Sequence, residues 1–148
     1  YFISELIPQA CIITPNIPEA EAITGMNIMS YEDIKKAAVK IYEMGAENVL
    51  IKGGHREGDA EDILFDGSTY HSFKSRRIYT KNTHGTGCTL SSAIASNLAL
   101  GMNCAQAVRN AKDYVTMAIE YGLDIGKGHG PTNHFYKLYR EGLPYIAE

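Results

Sequence analysis

The residues best suited to chemistry lie in one stretch, Lys81-Asn82-Thr83-His84-Gly85-Thr86-Gly87-Cys88-Thr89-Leu90. It combines two glycines, three threonines, a histidine and a cysteine, and it runs into an apolar, alanine-rich segment ending at Leu100. A small-residue loop that opens a helix is a ready anion site. Its glycines let the backbone come close, and the first helical N–H groups point outward unpaired. A phosphate or an oxyanion suits such a cradle. Cys88 at its mouth feels the positive end of the helix dipole, which favours thiolate. The loop alone leaves a second reading open, a capped helix start with a buried cysteine.

Two other polar clusters follow apolar runs. Asn16 and Glu19 come after Cys11-Ile12-Ile13-Thr14, and Lys52 with Gly53-Gly54 comes after Asn48-Val49-Leu50-Ile51. In open parallel sheets, ligands bind outside the carboxyl ends of the strands. The three clusters are expected to gather there. An acid, a lysine and an anion cradle on one sheet edge supply the charge neutralisation, metal anchor and positioned amides that phosphoryl transfer needs. Read singly, Glu19 suits a helix N-terminus and Lys52 suits a solvated strand end; their joint placement favours a nucleotide site. The chain has no Gly-x-x-x-x-Gly-Lys-Ser/Thr, so it is not a P-loop enzyme, and no Gly-x-Gly-x-x-Gly follows a strand. A metal held by Cys88 and His84 finds no support in motif spacing.

The elements that must position these residues are legible in order. Residues 2–7 read as a helix end stopped by Pro8. Cys11-Ile12-Ile13-Thr14 is a run of buried-strand type, ended by Pro15. Asn16-Ile17-Pro18-Glu19 starts a helix, with Pro18 in its first turn and Gly25 as its terminator. Ser30, with Asp33 three residues on, caps a second helix whose apolar face is Ile34, Ala37, Ala38, Ile41 and Tyr42. Met44-Gly45 ends it, and residues 48–52 form the next buried strand. Strand, helix and strand with short joins make a βαβ unit, hence a parallel sheet. Asp66-Gly67 between residues 62–65 and 68–73 is a hairpin signal. Arg77-Ile78-Tyr79 suggests one more strand. Helices are expected over residues 88–100 and 104–121, joined by Gly101-Met102-Asn103. A glycine-rich loop over residues 126–131, a short helix over 134–141 and a loose tail follow.

Composition sets outer bounds. At 148 residues the chain is one domain's worth, with 45% apolar residues and a net charge of −3. It has no basic run, which argues against a nucleic-acid partner. No apolar stretch reaches the roughly 18 residues of a membrane-spanning helix, and no signal peptide is read at its start. Cys11, Cys88 and Cys104 are an odd, widely spaced set, which suits a reducing, cytoplasmic setting rather than a disulfide scaffold.

Four blocks carry a resemblance: Thr14-Pro15-Asn16-Ile17-Pro18-Glu19-Ala20-Glu21; Val49-Leu50-Ile51-Lys52-Gly53-Gly54-His55; Thr80-Lys81-Asn82-Thr83-His84-Gly85-Thr86-Gly87-Cys88-Thr89-Leu90-Ser91; and Gly128-His129-Gly130-Pro131-Thr132-Asn133-His134-Phe135. In this order they resemble the C-terminal part of the hydroxymethylpyrimidine kinase / phosphomethylpyrimidine kinase family of thiamine biosynthesis, in the ribokinase-like superfamily. The resemblance implies an α/β, three-layer ribokinase-like fold, here partial, with parallel strands, a β-hairpin and C-terminal helices. It implies that residues 1–148 are the ATP-side portion of the kinase domain, with the N-terminal half absent and the isolated piece inactive. ATP and Mg2+ are the implied cofactors, and a small pyrimidine is the implied partner. Asn16 and Glu19 match an Asn-x-x-Glu element that holds Mg2+ and phosphates largely through water. Lys52 and Thr83 match positions near the nucleotide. Gly85, Thr86, Gly87 and Cys88 match the anion hole, with Cys88 where most ribokinase relatives carry an aspartate base. The alternatives are a pyridoxal kinase of the same cysteine-bearing type and a non-catalytic ligand-binding module. A sheet left without its neighbouring strands exposes an edge, so a homo-oligomer is expected.

Overall fold

Helix starts in the first half of the chain are fixed by reciprocal capping. Ser30 Oγ accepts from Asp33 N–H at 3.1 Å and Asp33 Oδ2 accepts from Ser30 N–H at 2.9 Å. Asn16 and Glu19 repeat the arrangement one helix earlier. These boxes open α1 (Ile17–Thr24) and α2 (Tyr31–Glu43). Gly25 closes α1 with φ of 69°, a conformation that glycine adopts without strain. Ile34, Ala37, Ala38 and Ile41 of α2 are buried, as their helical spacing predicts, whereas Tyr42, expected on the same face, is exposed.

The computed structural model describes residues 1–53, 60–76, 78–80, 85–123, 125, 127–128 and 130–142. The chain divides into two units, Tyr1–Arg77 and Ile78–Glu148. In the first, α1 and α2 pack with a three-stranded sheet of β1 (Val49–Ile51), β2 (Ala60–Phe65) and β3 (Tyr70–Ser75). The core joins Ile17, Ala20, Ile34, Ala38 and Ile41 of the helices to Val49, Ile51, Ile63 and Phe65 of the sheet. Burying each large aliphatic side chain contributes about 1.5–3 kcal/mol.

The sheet departs from the expected one. Its order is β1-β2-β3 and both pairings are antiparallel, with Ile51 opposite Ile63 and Ile63 opposite Ser72. The expected parallel partner of β1 survives only as two contacts, Ile13 with Val49 and Asn16 with Lys52. Pro15 supplies the reason. Ile13 N–H donates to Asn48 O at 3.0 Å and Ile13 O accepts from Leu50 N–H at 2.9 Å. The next donor in the ladder falls at Pro15, which has no N–H. The ladder skips that bond and resumes where Lys52 N–H donates to Pro15 O at 2.8 Å. The opening residues also differ from expectation. Phe2–Leu6 form a π-helical turn, and Pro8 lies inside a 3-10 turn, Ile7–Gln9, instead of stopping a helix. Ile78 and Tyr79 form no strand; Arg77 lies outside the described residues.

The β2–β3 hairpin turns at Asp66-Gly67, as predicted, although β3 starts later than expected, at Tyr70. Asp66 Oδ1 accepts from the N–H groups of Ser68 at 3.0 Å and Thr69 at 2.7 Å, and His71 Nε2 lies 2.8 Å from Oδ2. The bond to His71, then those to the turn amides, hold the Asp66 carboxyl well below the usual carboxylate range. A depressed folded pKa adds stability above the unfolded value, near 3.9, and loses it as pH falls through the folded one. The stability gap between the wild-type chain and Asp66→Asn is therefore expected to be widest near neutrality and to narrow below about pH 4. Urea titrations at several pH values check this.

The second unit is helical: α3 (Thr86–Ala99), α4 (Cys104–Glu120) and α5 (Tyr136–Glu141). Leu90 and Ile94 of α3 and Ala107, Val108, Ala111 and Val115 of α4 are buried. Asn103 Oδ1 caps α4 through Gln106 N–H at 2.9 Å, and Asn97 Nδ2 donates to Ala107 O at 3.1 Å, tying the two helices. Tyr121 stacks on Tyr136 with centroids 3.6 Å apart, which ties the end of α4 to α5. The glycine-rich loop falls partly, and the tail after Gly142 wholly, outside the described residues. No described helix is long and apolar enough to cross a membrane.

Candidate active site

In the first unit the structure brings Asn16, Glu19 and Lys52 to one sheet end. Asn16 Oδ1 accepts from Glu19 N–H at 2.8 Å, and Glu19 Oε2 accepts from Asn16 N–H at 2.7 Å. Both residues thus serve the start of α1, the role that Glu19 read singly suits. Glu19 is exposed, and its Oε1 makes no hydrogen bond among the described residues. Asn16 is the parallel neighbour of Lys52, so the helix start and the lysine share an edge.

The backbone beyond Lys52 is held tightly. Gly53 N–H donates to Asp62 Oδ1 at 2.9 Å. A Cβ on Gly53 would stand 1.9 Å from the carbonyl oxygen of Glu61, so only glycine fits there. Asp62 is 6% exposed. The sequence alone marks it only as the first residue of a hairpin strand. The available signal was a carboxylate set into an otherwise apolar run, Asp62-Ile63-Leu64-Phe65.

The Gly85-Thr86-Gly87-Cys88 loop belongs to the second unit. Gly85 is the residue before α3, with φ of 83°, and no atom of the described residues crowds its Cβ position; the left-handed backbone conformation selects glycine here. Thr89 N–H to Gly85 O, 2.9 Å, is the first bond of the helical ladder. The amides of Thr86, Gly87 and Cys88 precede it, and among the described residues no side chain caps them. Helix-start amides of this kind are the groups on which the anion site expected from the sequence would rest. Cys88 is an exposed free thiol, which removes the reading of a buried packing cysteine. Thr83 and His84 lie outside the described residues.

Cys88 lines a groove of about 640 Å3 with Ser92, Asn97, Asn110, Tyr114 and His134. His134 comes from the fourth sequence block. Its ring stacks beside Tyr114, with Nδ1 3.3 Å from Tyr114 Oη and Nε2 3.3 Å from the Oγ1 of buried Thr132. No group of three or more His, Cys, Asp or Glu among the described residues is arranged to hold a metal ion. Glu19 suits a weaker role. Mg2+ keeps several waters and binds through one or two carboxylates together with substrate phosphates, and an exposed carboxylate with one oxygen unused fits that pattern.

Residues 1–133 match the family model described as phosphomethylpyrimidine kinase. The chain is 54% identical over 130 residues to the thiamine biosynthesis bifunctional protein ThiED of Geobacter sulfurreducens, covering 87% of this chain and 26% of that protein. It is 51% identical over 132 residues to the hydroxymethylpyrimidine/phosphomethylpyrimidine kinase of Bacillus subtilis, covering 88% of this chain and 49% of that one. Among solved structures it is similar to the pyridoxal kinase of Staphylococcus aureus in complex with AMP-PCP and pyridoxal. The TM-score is 0.86 at 35% identity, over 92% of this chain and 52% of that one. The chain thus spans from about a quarter to about half the length of these relatives.

Proposed function

Because the chain belongs to the phosphomethylpyrimidine kinase family and has a partial ribokinase-like fold, we propose that it is the ATP-side portion of a kinase of thiamine biosynthesis. The full-length enzyme phosphorylates 4-amino-5-hydroxymethyl-2-methylpyrimidine and then its monophosphate. The observation that carries this reading is the 51% identity over 132 residues to the Bacillus kinase. The amides at the start of α3, which no side chain caps among the described residues, agree with it.

In this reading the amides of Thr86, Gly87 and Cys88 face the charge that develops on the transferring phosphoryl group. Lys52 neutralises phosphate oxygens of ATP, and Thr83 contacts the nucleotide. Asn16 fixes the start of α1 so that Glu19 presents Oε1, which makes no hydrogen bond among the described residues. Glu19 is the residue that would hold Mg2+, through water, and the ion would supply positive charge that offsets the charge of the phosphates. The Cys88 thiolate takes the proton of the substrate alcohol as that oxygen bonds to the γ-phosphorus, and the bond from phosphorus to the ADP oxygen breaks. Since the chain spans at most about half of the relatives cited, turnover is expected from the full-length protein and not from residues 1–148 alone.

Lys52→Ala is expected to weaken ATP binding by roughly 10- to 100-fold, because a hydrogen bond to a charged group contributes about 1.5–3 kcal/mol. Calorimetry with ATP measures it, and a wild-type chain that binds no ATP would leave the non-catalytic module. The likeness to a pyridoxal kinase makes pyridoxal the second acceptor to test. A panel of the pyrimidine alcohol, its monophosphate and pyridoxal, run on the full-length protein, decides the acceptor. Preference for pyridoxal would overturn the pyrimidine assignment.

A further inference from the structure

We infer that Asp62 is a positioning residue for Lys52, acting through the backbone of Gly53. The inference rests on the reading of Lys52 as a residue that meets the phosphates of ATP. A carboxylate buried this deeply is unfavourable unless it is hydrogen-bonded. Asp62 is 94% buried by its 6% exposure, and its Oδ1 receives the Gly53 N–H at 2.9 Å. Gly53 is itself buried, so without Asp62 its N–H would lose this acceptor in a place that water does not reach freely.

The geometry shows what the bond does. β1 and β2 pair up to Ile51 opposite Ile63. One residue further, Lys52 and Asp62 stand at corresponding positions, and β1 has ended. At that point the two amides flanking the Lys52 Cα are held from opposite sides. Lys52 N–H donates to Pro15 O at 2.8 Å, and Gly53 N–H donates to Asp62. With both peptide planes fixed, the direction in which the Lys52 side chain leaves the sheet is fixed as well. The close approach of Gly53 to the Glu61 carbonyl leaves no room for the backbone to swing the other way. A carboxylate is the suited group, because it accepts only and binds an N–H more strongly than a neutral oxygen does. A positioned lysine loses less freedom on meeting a phosphate than one on a loose strand end.

The test compares Asp62→Ala, Asp62→Asn, Lys52→Ala and the double variant Asp62→Ala/Lys52→Ala. ATP affinity is read by calorimetry and hydrogen exchange at the Gly53 amide by NMR. Asp62→Ala is expected to speed Gly53 exchange and to weaken ATP about tenfold. Asp62→Asn keeps an acceptor at Oδ1 and is expected to stay within about twofold of wild type in both. In the Lys52→Ala background, Asp62→Ala is expected to cause no further loss. If Asp62→Ala does not fold, Asp62→Ser replaces it, since its shorter side chain falls short of Gly53. An equal loss with and without Lys52 overturns the inference, as does unchanged exchange at Gly53. A wild-type chain without ATP affinity would instead defeat the kinase reading of Lys52, and this role with it. That result is distinct from nucleotide binding that ignores Asp62.

Discussion

Gly53→Ala is expected to lower the melting temperature by roughly 6–12 °C. The added Cβ would lie 1.9 Å from the Glu61 carbonyl oxygen and 3.1 Å from its carbon. These are backbone atoms of β2, which is paired with β1 on one side and β3 on the other. They cannot turn aside as the end of a side chain would. Relief requires β1 and β2 to part where Lys52 emerges, which breaks the Gly53–Asp62 bond as well. Overpacking of a tight site costs about 1–3 kcal/mol, and this one belongs at the upper end. Thermal unfolding followed by circular dichroism measures it. A shift under about 2 °C would mean that the strand ends are looser than the structure has them.

Cys88→Ala carries the largest expected effect on turnover. In the full-length protein, the rate with the pyrimidine alcohol should fall by about a hundredfold or more, the contribution usual for a positioned base. The rate with the monophosphate should fall much less, because that acceptor is already an anion and needs no proton removed. Parallel steady-state assays of the two half-reactions give the comparison. Equal losses would assign Cys88 to the shape of the loop and not to proton transfer. Stability gives the control: Cys88 is exposed and in no disulfide, so its removal should change folding by no more than about 0.5 kcal/mol.

The contrast between these two residues mirrors what could be read from the chain unaided. Cys88 stood out at once, because glycines, threonines and an apolar run mark a helix start. The structure puts the start of α3 two residues before it. The caps of α1 and α2, the Gly25 terminator and the Asp66-Gly67 turn were equally legible. Each depends on atoms three or four residues apart, whose geometry the backbone itself supplies. The sheet was less so. Cys11-Ile12-Ile13-Thr14 has the composition of a buried strand, yet a proline in the donor position cut its ladder to two contacts. The antiparallel pairing of β1 with β2 could not be inferred from apolar runs that suit either direction.

By itself, the sequence determined the local framework and the family: the capped helices, the hairpin turn, the glycine-led start of α3, and four blocks that place the chain among the phosphomethylpyrimidine kinases. Only the tertiary structure decided that Asp62 serves the backbone next to Lys52 and that Gly53 admits no side chain. The physical reason is distance along the chain. Asp62 and Gly53 are nine residues apart, and nothing local sets their meeting. It exists only once β1 and β2 have paired in one register, with Ile51 against Ile63. A slip of a single residue would turn the Asp62 carboxylate to the other face of the sheet.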